Sequence, residues 1–363
     1  MADIKNNEAA WIVGEKVHPL EVRPGPDQTK PESNEVIIQV AALAINPTDP
    51  YIQDAPYLPL NYPHVLGTDV AGTVASVGSQ VTRFKPGDRV IGHTVGLAHG
   101  GARHGGFQKF AACLEVGVAK IPDSLSFEKA AVLPLSISTS ATGLYEVLKL
   151  RLPSVEAPKA DPSGKETVLI WGGASSMGST AIQFAVAAGY RVVTTASAKN
   201  FEYVKSLNAS TKNNVVVFDY KDPDVVSKII AHVKESGAKF VGGYDCISVD
   251  PSATKACVDV VHGLGGGPLP VVRPASLTPK WSALPEGSPE DVQGAVVWGV
   301  NPVLVPDHAG APVWVDYIQE ALRNGTFEAK PEPLVVGKSL GDVQAAMDLY
   351  KKGVSAQKIV VTL

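Results

Sequence analysis

The run Thr167–Ser197, TVLIWGGASSMGSTAIQFAVAAGYRVVTTAS, decides how this chain is read. It opens on apolar and β-branched residues, Thr167 to Trp171, the composition of a buried strand. A turn of small residues follows: Gly172, Gly173, Ala174, Ser175, Ser176, Met177 and Gly178. Beyond it Ala181, Ile182, Ala185 and Val186 recur at helical spacing, and Gly189 is placed to end that helix. Arg191 to Thr195 supplies a second apolar strand. Strand, glycine turn, helix and strand form a βαβ unit suited to a dinucleotide pyrophosphate. Backbone N–H groups and the helix N-terminus face the phosphates, and small residues let them approach. Counted from Gly173, the turn departs from G-x-G-x-x-G, because Ser175 stands where the second glycine would be. Serine is small and can donate its own hydrogen bond, so the departure is compatible with phosphate binding.

The end of the second strand bears on which dinucleotide binds. An NAD site calls for Asp or Glu about 20 residues after the glycine turn, where it holds the ribose 2′-hydroxyl. Here the segment reads Thr194-Thr195-Ala196-Ser197-Ala198-Lys199-Asn200, with no carboxylate before Glu202. Hydroxyls and an ammonium suit a 2′-phosphate, which favours NADPH over NADH.

At 363 residues the chain exceeds what one hydrophobic core usually serves. Its net charge of −4 and the absence of a basic stripe argue against nucleic acid as a partner. No apolar run is long enough to span a bilayer, and Met1 to Glu8 has no apolar signal core, so a cytoplasmic protein is expected. Cys113, Cys246 and Cys257 lie far apart, match no metal-binding spacing and read as buried small residues.

Outside the opening unit the chain changes style twice. Residues 9 to 130 carry short strand-like runs at 10–13, 35–41, 70–77 and 89–92, separated by Pro/Gly turns such as Lys85-Pro86-Gly87-Asp88. Residues 128 to 149 are helical in pattern, with breaks at Pro134 and Gly143, and a polar linker runs from Arg151 to Glu166. After the βαβ unit, further strands are expected at 215–218, 244–247, 269–272 and 295–298, with helices over 224–236 and 252–262 between them. Together these predict a doubly wound α/β domain with a six-stranded parallel sheet. The last of these strands, extended over 295–300, is read as an edge able to pair with a twin, leaving monomer or homodimer open. Amphipathic helices over 313–324 and 342–352, stopped by Gly325 and Gly353, precede a final strand at 358–363.

Several motifs resemble the medium-chain dehydrogenase/reductase superfamily. They include Asn46-Pro47-Thr48-Asp49-Pro50-Tyr51-Ile52, Leu66-Gly67-Thr68-Asp69-Val70-Ala71-Gly72, the run from Val81 to Val90, Gly105 to Phe110, Ala130 to Pro134 and the Gly172–Gly178 turn. Within it the chain is similar to the zinc-independent branch of quinone oxidoreductases and fungal trans-acting enoyl reductases. Ser197 to Phe201, Phe218 to Lys221, Tyr244 to Ile247 and Gly353 to Lys358 carry that closer match.

The resemblance implies a GroES-like β-rich catalytic domain over 1–130, a Rossmann NADPH-binding domain over 131–304 and a return to the catalytic domain over 305–363. Zinc alcohol dehydrogenases of the superfamily have a cysteine where Asn46 stands and His-Glu where Thr68-Asp69 stands, so no metal is expected. His64 is read as a loop residue, and His93, His99 and His104 as part of an active-site loop over 92–106. The resemblance carries Thr48, Asp49, Tyr51 and Thr139 to the nicotinamide end of the cleft, with Tyr51 and Thr139 as candidate catalytic residues. It carries Gly172, Gly173, Ala174, Ser175, Ser176, Met177 and Gly178 to the pyrophosphate, Ser197, Lys199 and Asn200 to the 2′-phosphate end, and Tyr220 and Ser355 to the adenosine side. The activity implied is zinc-independent, NADPH-dependent reduction of an activated C=C bond in an enone, enoyl thioester or quinone. The substrate would be a small molecule, including an acyl chain on a carrier protein, within secondary metabolism. The rival readings are a zinc-free carbonyl reductase or alcohol dehydrogenase, and a non-catalytic NADPH-binding protein. Loops over 56–63, 92–106 and 274–289 are expected to shape the substrate pocket.

Overall fold

The structure, a computed structural model, describes residues 4–55, 59–156, 164–207, 214–248, 250–271 and 284–363. Residues 56–58 and 274–283 of the expected loops, and residues 157–163 of the 151–166 linker, lie outside these residues.

The first part of the chain forms strands β1 (Glu8–Ile12), β2 (Glu21–Pro24), β3 (Glu35–Ala44), β4 (His64–Val65), β5 (Asp69–Val77), β6 (Arg89–His93), β7 (Phe110–Leu114) and β8 (Val118–Lys120). The second part forms β9 (Glu166–Trp171), β10 (Arg191–Ala196), β11 (Val215–Asp219), β12 (Lys239–Asp245), β13 (Gly267–Val271) and β14 (Val292–Val296). The tail adds β15 (Glu332–Gly337) and β16 (Gln357–Thr362).

Strands β9 to β14 make the expected six-stranded sheet, in the order β11-β10-β9-β12-β13-β14, with every pair parallel. Helices Val225–Glu235 and Pro251–Gly263 pack alongside it. Two strands lie earlier than the sequence reading: the one expected at 244–247 is Lys239–Asp245, and the edge strand ends at Val296, so that Val297 to Val300 leave the sheet to line a cleft. The chain then enters a short helix with Pro302 in its first turn, where a missing N–H costs nothing.

A seven-stranded mixed sheet carries the order β15-β16-β3-β5-β6-β8, with β7 paired to β3. The tail strand β16 inserts antiparallel beside β3, with Val360 opposite Ala44, while Ala44 also faces Asp69 on β5. The last residues of the chain therefore complete the first sheet. The helical pattern expected over 128–149 resolves into helices Phe127–Ala130 and Pro134–Ala141 and a wider π turn, Thr142–Val147. Pro134 starts a helix rather than breaking one. Gly143 is needed because the Tyr244 ring passes within 2.3 Å of where a Cβ would sit.

Buried residues of these helices share one apolar cluster with β9, β10 and the Val313–Phe327 region, so both sheets are anchored to common side chains. All three cysteines are buried and unpaired, and burial pushes their thiols up, away from thiolate reactivity. No helix among the described residues is long and apolar enough to cross a membrane.

Helix Ser176–Ala187 meets β9 through Gly178. A Cβ there would lie 2.2 Å from the Gly172 carbonyl oxygen, a backbone atom with little room to move. Gly178→Ala is expected to destabilise the protein by about 1–3 kcal/mol, the usual range for overpacking. Gly341→Ala, where the nearest atom is the Ser339 hydroxyl at 3.5 Å, serves as the control. Comparing their thermal midpoints checks this, and equal midpoints would show that the close approach is not limiting.

Candidate active site

The glycine turn lies between β9 and helix Ser176–Ala187. Gly172 adopts a left-handed φ of +82°, and its N–H donates to Thr195 Oγ1 at 3.0 Å. The Gly173 N–H donates to the Thr195 carbonyl at 2.8 Å, which binds the turn to β10. Ser175 is the N-cap: its Oγ accepts from the Gly178 N–H at 3.0 Å. The serine in place of the second glycine thus closes the helix end.

Among the described residues, the amides of Ala174, Ser176 and Met177 have no acceptor in the chain. Gly172 and Ala174 to Met177 all border the cleft, whereas Gly173 and Gly178 pack behind them. A wall of free amides at the start of a twelve-residue helix fits a pyrophosphate.

The cleft encloses about 650 Å³ between the six-stranded and seven-stranded sheets, a volume ordinary for cofactor and small-substrate sites. At one end, Asn200 Nδ2 donates to Ser197 Oγ at 3.2 Å and to Ser355 Oγ at 3.1 Å. Ser355, from the far end of the sequence, therefore meets the neighbouring Ser197 and Asn200 there, with half-exposed Tyr220 beside them. Lys199 is exposed within the same short 3-10 turn, Ala198–Asn200. Across the strands Asp219 stands opposite Ala196, and its Oδ1 accepts from the Lys221 N–H at 3.0 Å.

At the other end stand Asn46, Thr48, Thr68, Thr139 and Tyr350. Thr139 donates its hydroxyl proton to the Leu135 carbonyl at 2.7 Å, and its own carbonyl accepts from the Tyr244 hydroxyl at 2.8 Å. Gly299 makes room for it: a Cβ there would come within 2.5 Å of Thr139 Oγ1. The Thr48 hydroxyl oxygen is buried and has no partner among the described residues.

Asp49 sits beneath this wall, fully buried. Its carboxylate accepts the N–H of Asn46 at 2.8 Å and of Gly67 at 3.2 Å. Burial, reinforced by the nearby Asp69 charge, raises its pKa to about 7 against those two bonds. Tyr51 is half-buried on helix Thr48–Asp54 and lies outside the cleft wall; the phenol in that wall is Tyr350, which burial and the proximity of Tyr51 and Asp49 hold protonated.

Sequence reasoning missed Lys358. Its ammonium, from the start of β16, donates to Asn46 Oδ1 at 2.6 Å and pairs with Asp69 Oδ2 at 2.8 Å, at 6 % exposure. Asn46 Nδ2 in turn donates to Thr68 Oγ1 at 2.8 Å and Asp69 Oδ2 at 2.9 Å. The positions compared above with zinc ligands are thus bonded to one another and to a lysine. Among the described residues no three His, Cys, Asp or Glu side chains converge as a metal-binding group.

None of the histidines expected in an active-site loop borders the cleft, although Leu97 and Ala98 of that loop do. His93 ends β6 fully buried, its Nδ1 2.8 Å from Ser138 Oγ, and burial holds its pKa down at about 4. His104 is buried against Glu35, with its ring edge-on to His99. His64 lies in β4 rather than a loop. Strand pairing and burial account for where these rings are held.

Comparison with known proteins agrees with this geometry. Residues 32–123 match the alcohol dehydrogenase GroES-like domain. The trans-enoyl reductase himH of Aspergillus japonicus is 44 % identical over 357 residues, covering 98 % of this chain and 97 % of that protein. The chain belongs to the medium-chain dehydrogenase/reductase superfamily, in its enoyl reductase-like branch. A second superfamily relative, from Emericella nidulans, is 38 % identical over the full length of both chains. That relative is named zinc-binding alcohol dehydrogenase domain-containing protein cipB. The crystal structure of the CurK enoyl reductase shares the fold, with a TM-score of 0.71 at 22 % identity over 98 % of this chain and 99 % of that one. The protein is accordingly an oxidoreductase of a family that uses a nicotinamide cofactor.

The raised pKa of Asp49 has a measurable consequence. The folded protein binds this proton more tightly than the unfolded chain, so the associated stability is present below about pH 4 and is lost as the pH rises to about 7. Asp49→Asn is expected to flatten the fall in urea midpoint over that window; an unchanged slope would assign it to another group.

Proposed function

We propose that the protein is an NADPH-dependent reductase of activated C=C bonds that works without a metal. The observation that carries this reading is the floor of the cleft, where Asn46, Thr68 and Asp69 are bonded to each other and to Lys358. An amide, a hydroxyl and an ion-paired carboxylate are not the thiolate and imidazole set that zinc selects. Identity to himH over nearly the whole of both chains supports the C=C substrate class.

In this reading residues 131–304 hold the cofactor, while 1–130 and 305–363 supply the substrate side. The amides of Ala174, Ser176 and Met177 hold the pyrophosphate. Ser197, Lys199 and Asn200 take the 2′-phosphate, with Tyr220 and Ser355 closing the adenosine side. Thr48, Asp49 and Thr139 shape the nicotinamide end.

Bound nicotinamide supplies the hydride. The chain's own part is to exclude water, with Leu97, Leu135, Val297 and Trp298 in the cleft wall, and to offer hydrogen-bond donors to the substrate carbonyl. Tyr350, the phenol that borders the cleft, is the proposed immediate donor of the proton for the α-carbon, with Tyr51 behind it as the source that restores that proton. The substrate is a small enone, quinone or acyl chain, free or on a carrier, met in the cytoplasm.

Three measurements test this reading. Steady-state rates on paired enones and ketones should favour the enone; faster ketone turnover would favour the carbonyl-reductase reading. Lys199→Ala should weaken NADPH at least tenfold, on the order of one lost charge-assisted contact to phosphate, and leave NADH unchanged. Equal loss for both cofactors would remove the 2′-phosphate assignment. Tyr51→Phe should lower kcat with NADPH affinity intact, whereas unchanged kcat would make Tyr51 a rim residue.

A further inference from the structure

The loop over 95–104 places Leu97 and Ala98 in the cleft wall. It starts at the Thr68 end of the cleft, because the Thr94 N–H donates to the Thr68 carbonyl at 3.0 Å and the Thr94 hydroxyl to the Gly67 carbonyl at 2.8 Å. The loop is folded tightly on itself. The Gly96 N–H donates to the His104 carbonyl at 2.9 Å, and the N–H groups of Ala98 and His99 both donate to the Val95 carbonyl at 2.9 Å. Gly100 has a φ of +70°, and a Cβ there would lie 2.2 Å from the His104 ring, so the tip wraps closely around that ring.

What fixes this loop lies behind the cleft wall. Glu35, at the start of β3, is fully buried. Its Oε1 accepts from His104 Nε2 at 2.8 Å, and its Oε2 accepts from Arg103 at 2.5 Å and from the Glu32 N–H at 2.7 Å. Burial pushes this carboxyl up, but the three bonds outweigh it and hold the pKa down at about 2. A carboxylate only accepts, so His104 Nε2 carries the hydrogen of their bond. Buried Gln28 and Gln108 donate to the Arg103 carbonyl at 2.8 and 3.1 Å, and Gln108 also reaches the Gly105 carbonyl at 2.6 Å. The outgoing leg of the loop therefore rests on one buried carboxylate and two buried amides.

A buried ionic cluster is a poor device for stability alone, because apolar residues of similar volume usually do as well. Here it has a second consequence. The loop is staked from behind by Glu35 and presents Leu97 and Ala98 in front, so its cleft face is preorganised. A wall that does not yield discriminates between ligands by shape.

We propose that Glu35, acting through Arg103 and His104, is a positioning residue for substrate selection: it fixes the 95–104 loop so that Leu97 and Ala98 form a rigid subsite for an unbranched apolar chain on the β-carbon of the substrate. This inference rests on the C=C reading above. Glu35 itself touches neither substrate nor cofactor. Its effect falls on which chain lengths bind well, and the reacting groups belong to other parts of the wall.

The test compares pentan-2-one and nonan-2-one, the saturated counterparts of a short and a long enone, as ligands of the NADP⁺-loaded protein. Oxidised cofactor has no hydride to give, so affinities read by calorimetry are independent of turnover. The variants are Leu97→Ala, Arg103→Gln and the double variant Glu35→Gln/Arg103→Gln. The double variant removes both charges together, and Arg103→Gln alone changes the partly exposed partner, to be read by the same criteria if the double variant fails to fold. Leu97→Ala should weaken nonan-2-one roughly tenfold relative to pentan-2-one, the low end of what a contact in an apolar pocket is worth. The double variant should lower the same ratio by a similar factor.

The double variant should also speed hydrogen exchange across 95–104, with exchange in β10 and NADP⁺ affinity unchanged. Adding Leu97→Ala to it should change the ratio little further, because both act on one wall. An unchanged ratio in the folded double variant would overturn the proposal, since a merely structural role weakens both ketones alike. So would losses that multiply in the combined variant, unchanged exchange in the loop, or a wild type that binds the two ketones equally. A Glu35-dependent length preference in a protein that reduces no enone would support the subsite and count against the C=C reading alone.

Discussion

The ammonium of Lys358 joins parts of the chain that sequence keeps far apart. It reaches Asn46 across 312 positions and Asp69 beside it. This contact exists because β16 pairs with β3 and β3 with β5, in a register that sets Val360 opposite Ala44 and Ala44 opposite Asp69. Burying one of these charges without the other would cost several kcal/mol, so the tail strand and the first sheet depend on one another. The cleft inherits that dependence, since its floor is made from both.

The second constraint is close packing around the glycine turn and the helix opposite. Gly178 lets helix Ser176–Ala187 sit on β9, and Gly143 lets the Tyr244 ring cross the Thr142–Val147 turn. The Tyr244 hydroxyl then reaches the Thr139 carbonyl, so β12 positions a residue in the cleft wall. The glycine turn and the Thr139 wall of the cleft are thus placed by the same few approaches. Displacing one moves the other.

Much of the architecture is legible in the sequence. The βαβ unit can be read because its signals are local: a β-branched run, small turn residues, and apolar spacing that changes from strand to helix. The same holds for the helices after β11 and β12. The edge strand lies a few residues earlier than its sequence pattern suggests, because an apolar run such as Ala295-Val296-Val297-Trp298 does not distinguish sheet from cleft wall. Here the sheet ends at Val296 and the wall begins at Val297. The histidines over 92–106 escape a sequence reading because burial, which places His93 beside Ser138 and His104 beside Glu35, has no local signature. Lys358 escapes it for a related reason. A lysine at the start of a strand ordinarily reaches solvent, and nothing in Gln357-Lys358-Ile359 signals otherwise.

By itself the sequence determined the superfamily, the parallel dinucleotide-binding sheet and the absence of an acid at the end of β10, since each depends on residues close together in the chain. Tertiary structure decided the rest. It gathered Ser197, Asn200 and Ser355 into one hydrogen-bonded group, kept Tyr51 out of the cleft wall while admitting Tyr350, and brought a buried cation to Asn46 and Asp69. These are consequences of strand register and side-chain burial, which are set by the packing of the whole chain rather than by any one stretch.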